Sequence, residues 1–153
     1  MKYLLLVAFL VGSLISCASC SKNTPEVNKN NNNTNPARSK MKIKIGSNTF
    51  NATLYDNQTA TAFKAMLPLT VDMVELNGNE KYVDLPESLP TNASNPGIIQ
   101  NGELMLYGSS TLVLFYKTFP TSYSYTKLGR IDDVNGLVAA LGSGNVTVTF
   151  EIE

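Results

Sequence analysis

The residues with chemical capability begin with an aromatic group, Tyr107, Phe115, Tyr116, Tyr123 and Tyr125, which shares three neighbouring strand-like segments with Arg130. Tyrosine joins apolar area to a polar tip, and strand alternation sends about half of such a group outward. An aromatic-lined groove bearing one arginine suits an apolar or carboxylate-bearing ligand, or an extended peptide. The competing reading is that these rings fill the core and its rim. Nucleophilic chemistry is excluded more firmly. The chain has no histidine, and its two cysteines, Cys17 and Cys20, both precede residue 41. From residue 41 onward there is therefore no Ser–His or Cys–His pair and no imidazole or thiolate metal site, so neither a metal nor another cofactor is expected. Asp132-Asp133 lacks calcium-loop spacing and reads as a helix cap. Glu75 and Glu80, an acid–base pair in principle, read as solvated strand ends. Gly142-Ser143-Gly144 lacks the Lys-Ser/Thr of a phosphate loop and reads as a helix stop.

Cys17 is reactive in a different sense. Lys2 precedes an apolar run that ends in Leu14-Ile15-Ser16-Cys17. A positive start, a short apolar stretch and a small residue before the cut are the marks of a secretory signal, and the run is too short to remain as a bilayer span. The segment resembles a bacterial lipoprotein signal, with residues 1–16 removed and Cys17 left as a lipidated N-terminus. Several acyl chains, at roughly 0.8 kcal/mol per buried methylene, then anchor the protein to a membrane outside the cytoplasm. Alternatives are a plain secretory peptide, or Cys20 as the modified residue. With Cys17 lipidated, Cys20 has no thiol partner for an intramolecular disulfide.

Residues 17–40 hold the lipidated Cys and then, from Ser21 to Lys40, turn to Asn, Thr, Lys and Pro, including Asn30-Asn31-Asn32-Asn33, a stretch of too little apolar surface to offset chain entropy. They read as a disordered, Asn-rich tether with a reach of about 25 Å. Residues 41–153 then form one domain able to hold a single core without staples. Across the whole chain 12 basic residues balance 12 acidic ones. The domain itself is mildly acidic and offers no phosphate-neutralising surface, which argues against nucleic acid as a partner.

Alternation marks strands at 41–45 and 49–54, and Asp56 or Asn57 caps a helix carrying Ala62, Phe63, Met66 and Leu67 that Pro68 stops. Residues 69–76 read as a strand with a phase slip at Met73-Val74 suggestive of a bulge, and Asn77-Gly78 turns tightly into a strand at 80–85. The loop 86–101 is long for a compact domain and so either functional or mobile. Strands follow at 103–107, 111–117 and 122–131. A second helix starts at Asp132 or Asp133, with Val134, Leu137, Val138 and Leu141 at helical spacing. Val146, Val148, Phe150 and Ile152 alternate in the last strand. About eight strands with two separated short helices predict a mainly β domain, a closed antiparallel barrel capped by the helices.

The order resembles the cyclophilin barrel, and more closely the small bacterial cyclophilin-like domains. The resemblance rests on Leu54-Tyr55-Asp56-Asn57, Leu67-Pro68-Leu69, Glu80-Lys81-Tyr82, the run Gly102-Glu103-Leu104-Met105-Leu106-Tyr107-Gly108, Leu114-Phe115-Tyr116-Lys117 and the run from Tyr123 to Ile131. It spans residues 41–153 and implies the eight-stranded fold. In the prolyl isomerases of that family an Arg, a Gln, aromatics, a Trp and a His surround a peptide groove. This chain has no Trp and no His, the domain's sole arginine is the late Arg130, and the family's Phe-x-Arg motif is absent. The electrostatic donor to the prolyl nitrogen therefore carries over to no residue here. The expectation is a membrane-anchored, extracytoplasmic barrel that binds a small ligand or peptide without turnover. A residual prolyl isomerase and a scaffold module of an envelope complex are the alternatives.

Overall fold

The computed structural model describes residues 38–153. The signal-like segment, Cys17, Cys20 and most of the Asn-rich stretch lie outside the described residues. The first hairpin joins β1 (Lys40–Ile45) to β2 (Asn48–Leu54), and alternation turns Met41, Ile43, Ile45, Phe50, Ala52 and Leu54 inward. Helix α1 (Gln58–Ala65) begins where the Asn57 side chain accepts from the Ala60 amide at 2.8 Å. Its Phe63 ring meets Phe150 edge-on at 5.7 Å and closes one end of the barrel.

Strands β3 (Leu69–Leu76) and β4 (Glu80–Asp84) are joined through Asn77 and Gly78, both at positive φ, as a tight hairpin turn requires. The two-residue strand β5 (Ile98–Ile99) interrupts the long loop. β6 (Glu103–Tyr107) and β7 (Thr111–Phe115) form the next hairpin. A second two-residue strand, β8 (Phe119–Pro120), pairs with β5, and β9 (Thr126–Ile131), α2 (Leu137–Leu141) and β10 (Val146–Ile152) complete the chain. Antiparallel pairing in the order β1-β10-β3-β4-β7-β6-β9-β2 closes the barrel. Its interior is the main apolar core, built around Met41, Ile43, Leu54, Phe63, Leu104, Leu114 and Phe150.

Three local expectations need correction. No bulge occurs at Met73-Val74. The register through β3 is continuous on both sides, and the apparent slip arose because Glu75, a charged residue, points inward. The irregularity lies instead between Leu104 and Met105, opposite β9, where Gly129 runs so close to β2 that a Cβ would stand 2.6 Å from the Thr53 carbonyl oxygen. Neither Asp132 nor Asp133 starts α2. Asp132 is held by Thr53 and Lys40, Asp133 accepts from the Asn135 amide, and the helix begins only after Gly136 in a left-handed conformation. Finally, residues 122–125 are not strand; they form an irregular segment, tied through Tyr125 to Ser94.

Both faces of β6 and β7 are covered. Inside lie Leu104, Leu106, Leu112 and Leu114. Outside, Met105, Val113 and Phe115 pack under Ile99, Phe119 and Tyr125 in a second small core. Residues 86–101 are therefore pinned rather than loose: Leu89 and Leu85 bond the Ser109 and Ser110 carbonyls, Thr59 reaches Pro90, and Asn92 meets the Thr126 hydroxyl.

Candidate functional site

Outward-facing residues of four adjacent strands form the floor of a groove on one side of the barrel. The register sets Tyr82 opposite Val113, Asp84 opposite Thr111, and Tyr107 opposite Thr111, so alternation presents Glu80, Tyr82 and Asp84 on the same face as Val113 and Tyr107. Leu76 and Asn77 supply one edge, and Tyr123 and Tyr125 come over from the segment before β9. The resulting groove has a volume of about 410 Å³. Tyr107 is the hub of its aromatic wall, 6.1 Å from Tyr123 and 5.6 Å from Tyr125, ring centre to ring centre. Tyr107 and Tyr123 are 47% and 61% exposed, a large aromatic area left facing water at one place. Tyr125 is anchored beneath them by an edge-on contact to Phe115 at 5.4 Å.

The electrostatics of the groove are acidic. None of its lining residues is Lys or Arg. Asp84 accepts from the Thr111 hydroxyl at 2.7 Å, whereas Glu80 has no ion-pair partner among the described residues. Burial, assisted by the charge of Glu75, raises the Glu80 carboxyl above the ordinary glutamate range. Burial and then the nearby Glu80 charge raise the Tyr125 phenol, against the hydrogen bond to Thr121.

Of the six residues singled out by sequence, the structure brings Tyr107, Tyr123 and Tyr125 together at this groove. Phe115 lies wholly buried behind it as support. Tyr116 and Arg130 do not reach it. Alternation turns Tyr116 into the barrel, where its hydroxyl donates to Glu75. Arg130 stands opposite Glu103 in the strand register, at the far end of β6 from Tyr107, and opposite Thr53 on the neighbouring β2. The arginine expected in the groove is thus replaced by two carboxylates. Sequence reasoning missed Glu80, Tyr82 and Asp84, although their i, i+2, i+4 spacing on one strand was the available signal.

Nor are Glu75 and Glu80 the solvated strand ends expected from sequence: the register puts Glu75 inside the barrel and the partly buried Glu80 on the outer face, which also separates them as an acid–base pair. Inside, Lys81 is 0% exposed and donates to Glu75, to the Gly144 carbonyl at 2.6 Å and to the Gly142 carbonyl at 3.1 Å. Its ammonium also lies 5.4 Å from the centre of the Tyr116 ring. Burial raises Glu75, but the hydrogen bonds from Lys81, Tyr116 and the Gly78 amide, with the Lys81 charge, outweigh it and leave the carboxyl below its ordinary value. Tyr116 is pushed up to about 12 by burial, by its hydrogen bond to Glu75 and by the charges of Glu75 and Glu80. This cluster closes the end of the barrel beneath α2. Among the described residues no group of His, Cys, Asp and Glu has the geometry of a metal site.

A family model described as the cyclophilin-like family matches residues 43–151. No curated protein matches the chain. Among solved structures, the solution structure of a hypothetical protein from Archaeoglobus fulgidus is similar at a TM-score of 0.55 and 17% identity, covering 76% of this chain and 95% of that one. At that identity the likeness concerns the fold alone.

Proposed function

The chain belongs to the cyclophilin-like family, and from that premise we propose that it binds a small ligand or an extended peptide in the outer tyrosine groove without turning it over, as a lipid-anchored protein outside the cytoplasm. The observation that carries the binding reading is the wall of Tyr107, Tyr123 and Tyr125, three tyrosines converging on one groove with two of them widely exposed. A barrel with no use for that surface would bury it or make it polar. The rings are also held in place. Tyr125 is fixed by Phe115 below and by the backbone of Ser94 beside it, so a ligand meets a preformed surface and orders little on arrival.

What lines the groove supports the reading without turnover. A prolyl isomerase needs a fixed positive donor at the prolyl nitrogen, and the charged residues lining this groove are Glu80 and Asp84. The lipoprotein-like signal that ends at Cys17 supports the membrane location. Two measurements on the full chain in detergent test the proposal. A proline-isomerisation assay is expected to show no acceleration over an uncatalysed exchange of tens of seconds. In NMR titrations with aromatic fragments and short proline-containing peptides, shifts are expected to concentrate at Tyr107, Tyr123 and Tyr125 and to vanish in Tyr107→Ala. Shifts confined to another face of the barrel sink the groove reading, and catalysis that survives dilution of contaminants sinks the non-catalytic one.

A further inference from the structure

The groove's aromatic wall and its charge point the same way. Its charged members, Glu80 and Asp84, sit four residues apart on one face of β4, a span of about 13 Å, with Tyr82 between them. Lys81 on β4, Lys117 just after β7, and Lys127 and Arg130 on β9 are not among the lining residues. Tyrosine faces carry negative quadrupole density, so rings and carboxylates both favour a positive group and both penalise an anion. We infer that the groove selects an organic cation, an alkylammonium or guanidinium group, that packs against the tyrosine wall and places its charge beside Glu80, with Asp84 farther along the same strand. This rests on the reading of the groove as a binding site and names its ligand class. It also reverses the carboxylate-bearing ligand that an arginine in the groove would have favoured.

Burial supports the assignment. Glu80 is half-buried, has no ion-pair partner among the described residues and feels the charge of Glu75 across the sheet, so its ionised form is left undercompensated. A bound cation supplies the compensation that the protein withholds. Asp84 differs, being already satisfied in part by Thr111, and serves as the weaker second pole. The charge has two possible sources, a free amine or the Lys or Arg side chain of a peptide. The chemistry of recognition is the same for both.

The test uses three probes of matched shape and different charge, phenethylamine, 2-phenylethanol and 3-phenylpropionate, titrated by NMR into the full chain in detergent. Phenethylamine is expected to bind about tenfold more tightly than the neutral alcohol, and the carboxylate to bind more weakly than either. Glu80→Gln is expected to remove about that tenfold for the amine and leave the alcohol unchanged, with Asp84→Asn acting in the same direction but less. High salt is expected to weaken the amine selectively. A Lys-centred glycine peptide compared with its norleucine counterpart identifies the source. Tighter binding of the lysine peptide than of phenethylamine indicates a protein partner, and the reverse order indicates a free amine. Equal affinity for amine and alcohol, or an amine affinity unchanged in Glu80→Gln, overturns the cation assignment while the groove reading stands. If no probe of any charge shifts Tyr107, Tyr123 or Tyr125, both readings fall.

Discussion

A lysine with no exposed surface inside a β-barrel demands compensation, and Lys81 receives it in full: its three donors are taken by Glu75, Gly142 and Gly144. Two of these acceptors are backbone carbonyls of the segment between α2 and β10, so the ammonium staples that segment to the barrel mouth. Removing one partner of a buried pair leaves the other charge uncompensated, the more expensive half of the interaction. Lys81→Met is therefore expected to lower stability by about 3 kcal/mol in denaturant melts. Adding Glu75→Gln to it is expected to restore about half of the loss or more, since the stranded carboxylate is gone while Tyr116 keeps an acceptor. Additive losses in the double variant would mean that Lys81 acts through its carbonyl contacts and not through Glu75.

At the scale of elements, α1 is held by one side chain that works in two directions. The Asn57 oxygen caps the helix at Ala60, and its amide nitrogen donates to the Lys127 carbonyl of β9 at 2.8 Å, tying the helix start to the barrel wall. Helix α1 has only eight residues, too short to stand without its cap and its packing. Asn57→Ala is expected to cost about 1 to 2 kcal/mol in thermal or denaturant unfolding, and Asn57→Ser distinctly less, because the serine hydroxyl keeps the cap and loses only the bond to β9. Equal losses would put the weight on the β9 bond. The hairpin-like pairing of β5 with β8 is the other element of consequence. It roofs Phe115 and Met105 and so sets the height from which Tyr123 and Tyr125 reach the groove.

For the molecule as a whole, pH sensitivity follows from groups whose environments are unlike water. Tyr116 holds its proton up to about 12 when folded, well above an unfolded tyrosine. Its contribution is complete below the unfolded value near 10 and is lost as pH rises through the folded one. Thermal stability is expected to fall between about pH 10 and pH 12, and Tyr116→Phe is expected to flatten that fall by comparison with the unsubstituted chain. An unchanged slope would mean that the phenol is not held by Glu75. On the acid side Glu75 and Asp132 are both depressed, so the stability they supply is present above the ordinary carboxylate range and lost as pH drops below it. Glu80, raised, acts in the opposite sense and favours the folded state at low pH. The proposed anchor belongs to this scale as well. Cys17→Ala is expected to abolish lipid labelling and partition into detergent, because the thioether has no other attachment point. Membrane partition that persists unchanged would refute the lipid anchor.

Much of the barrel could be read from local pattern. The alternation of Val146, Val148 and Phe150, the Asn77-Gly78 turn and the Gly142 stop are short-range facts of backbone geometry, and each stands where the sequence alone put it. Alternation by itself also separates inward from outward residues along one strand. It does not say which strands are neighbours or how they are staggered, and those non-local quantities decide a site built across four strands. That is why Tyr107, Tyr123 and Tyr125 meet while Arg130, close to them in sequence, stands opposite the far end of β6. Hydrophobic pattern likewise gave no warning that Glu75 and Lys81 would occupy the interior, because a charged residue is read as exposed unless its partner is visible. The partners here, one on each of two strands with a third acceptor from the loop after α2, come together only when the barrel closes. Sequence determined most of the elements and the residue types absent from the domain. Tertiary structure decided which side chains share a space, and with that the sign of the charge in the groove.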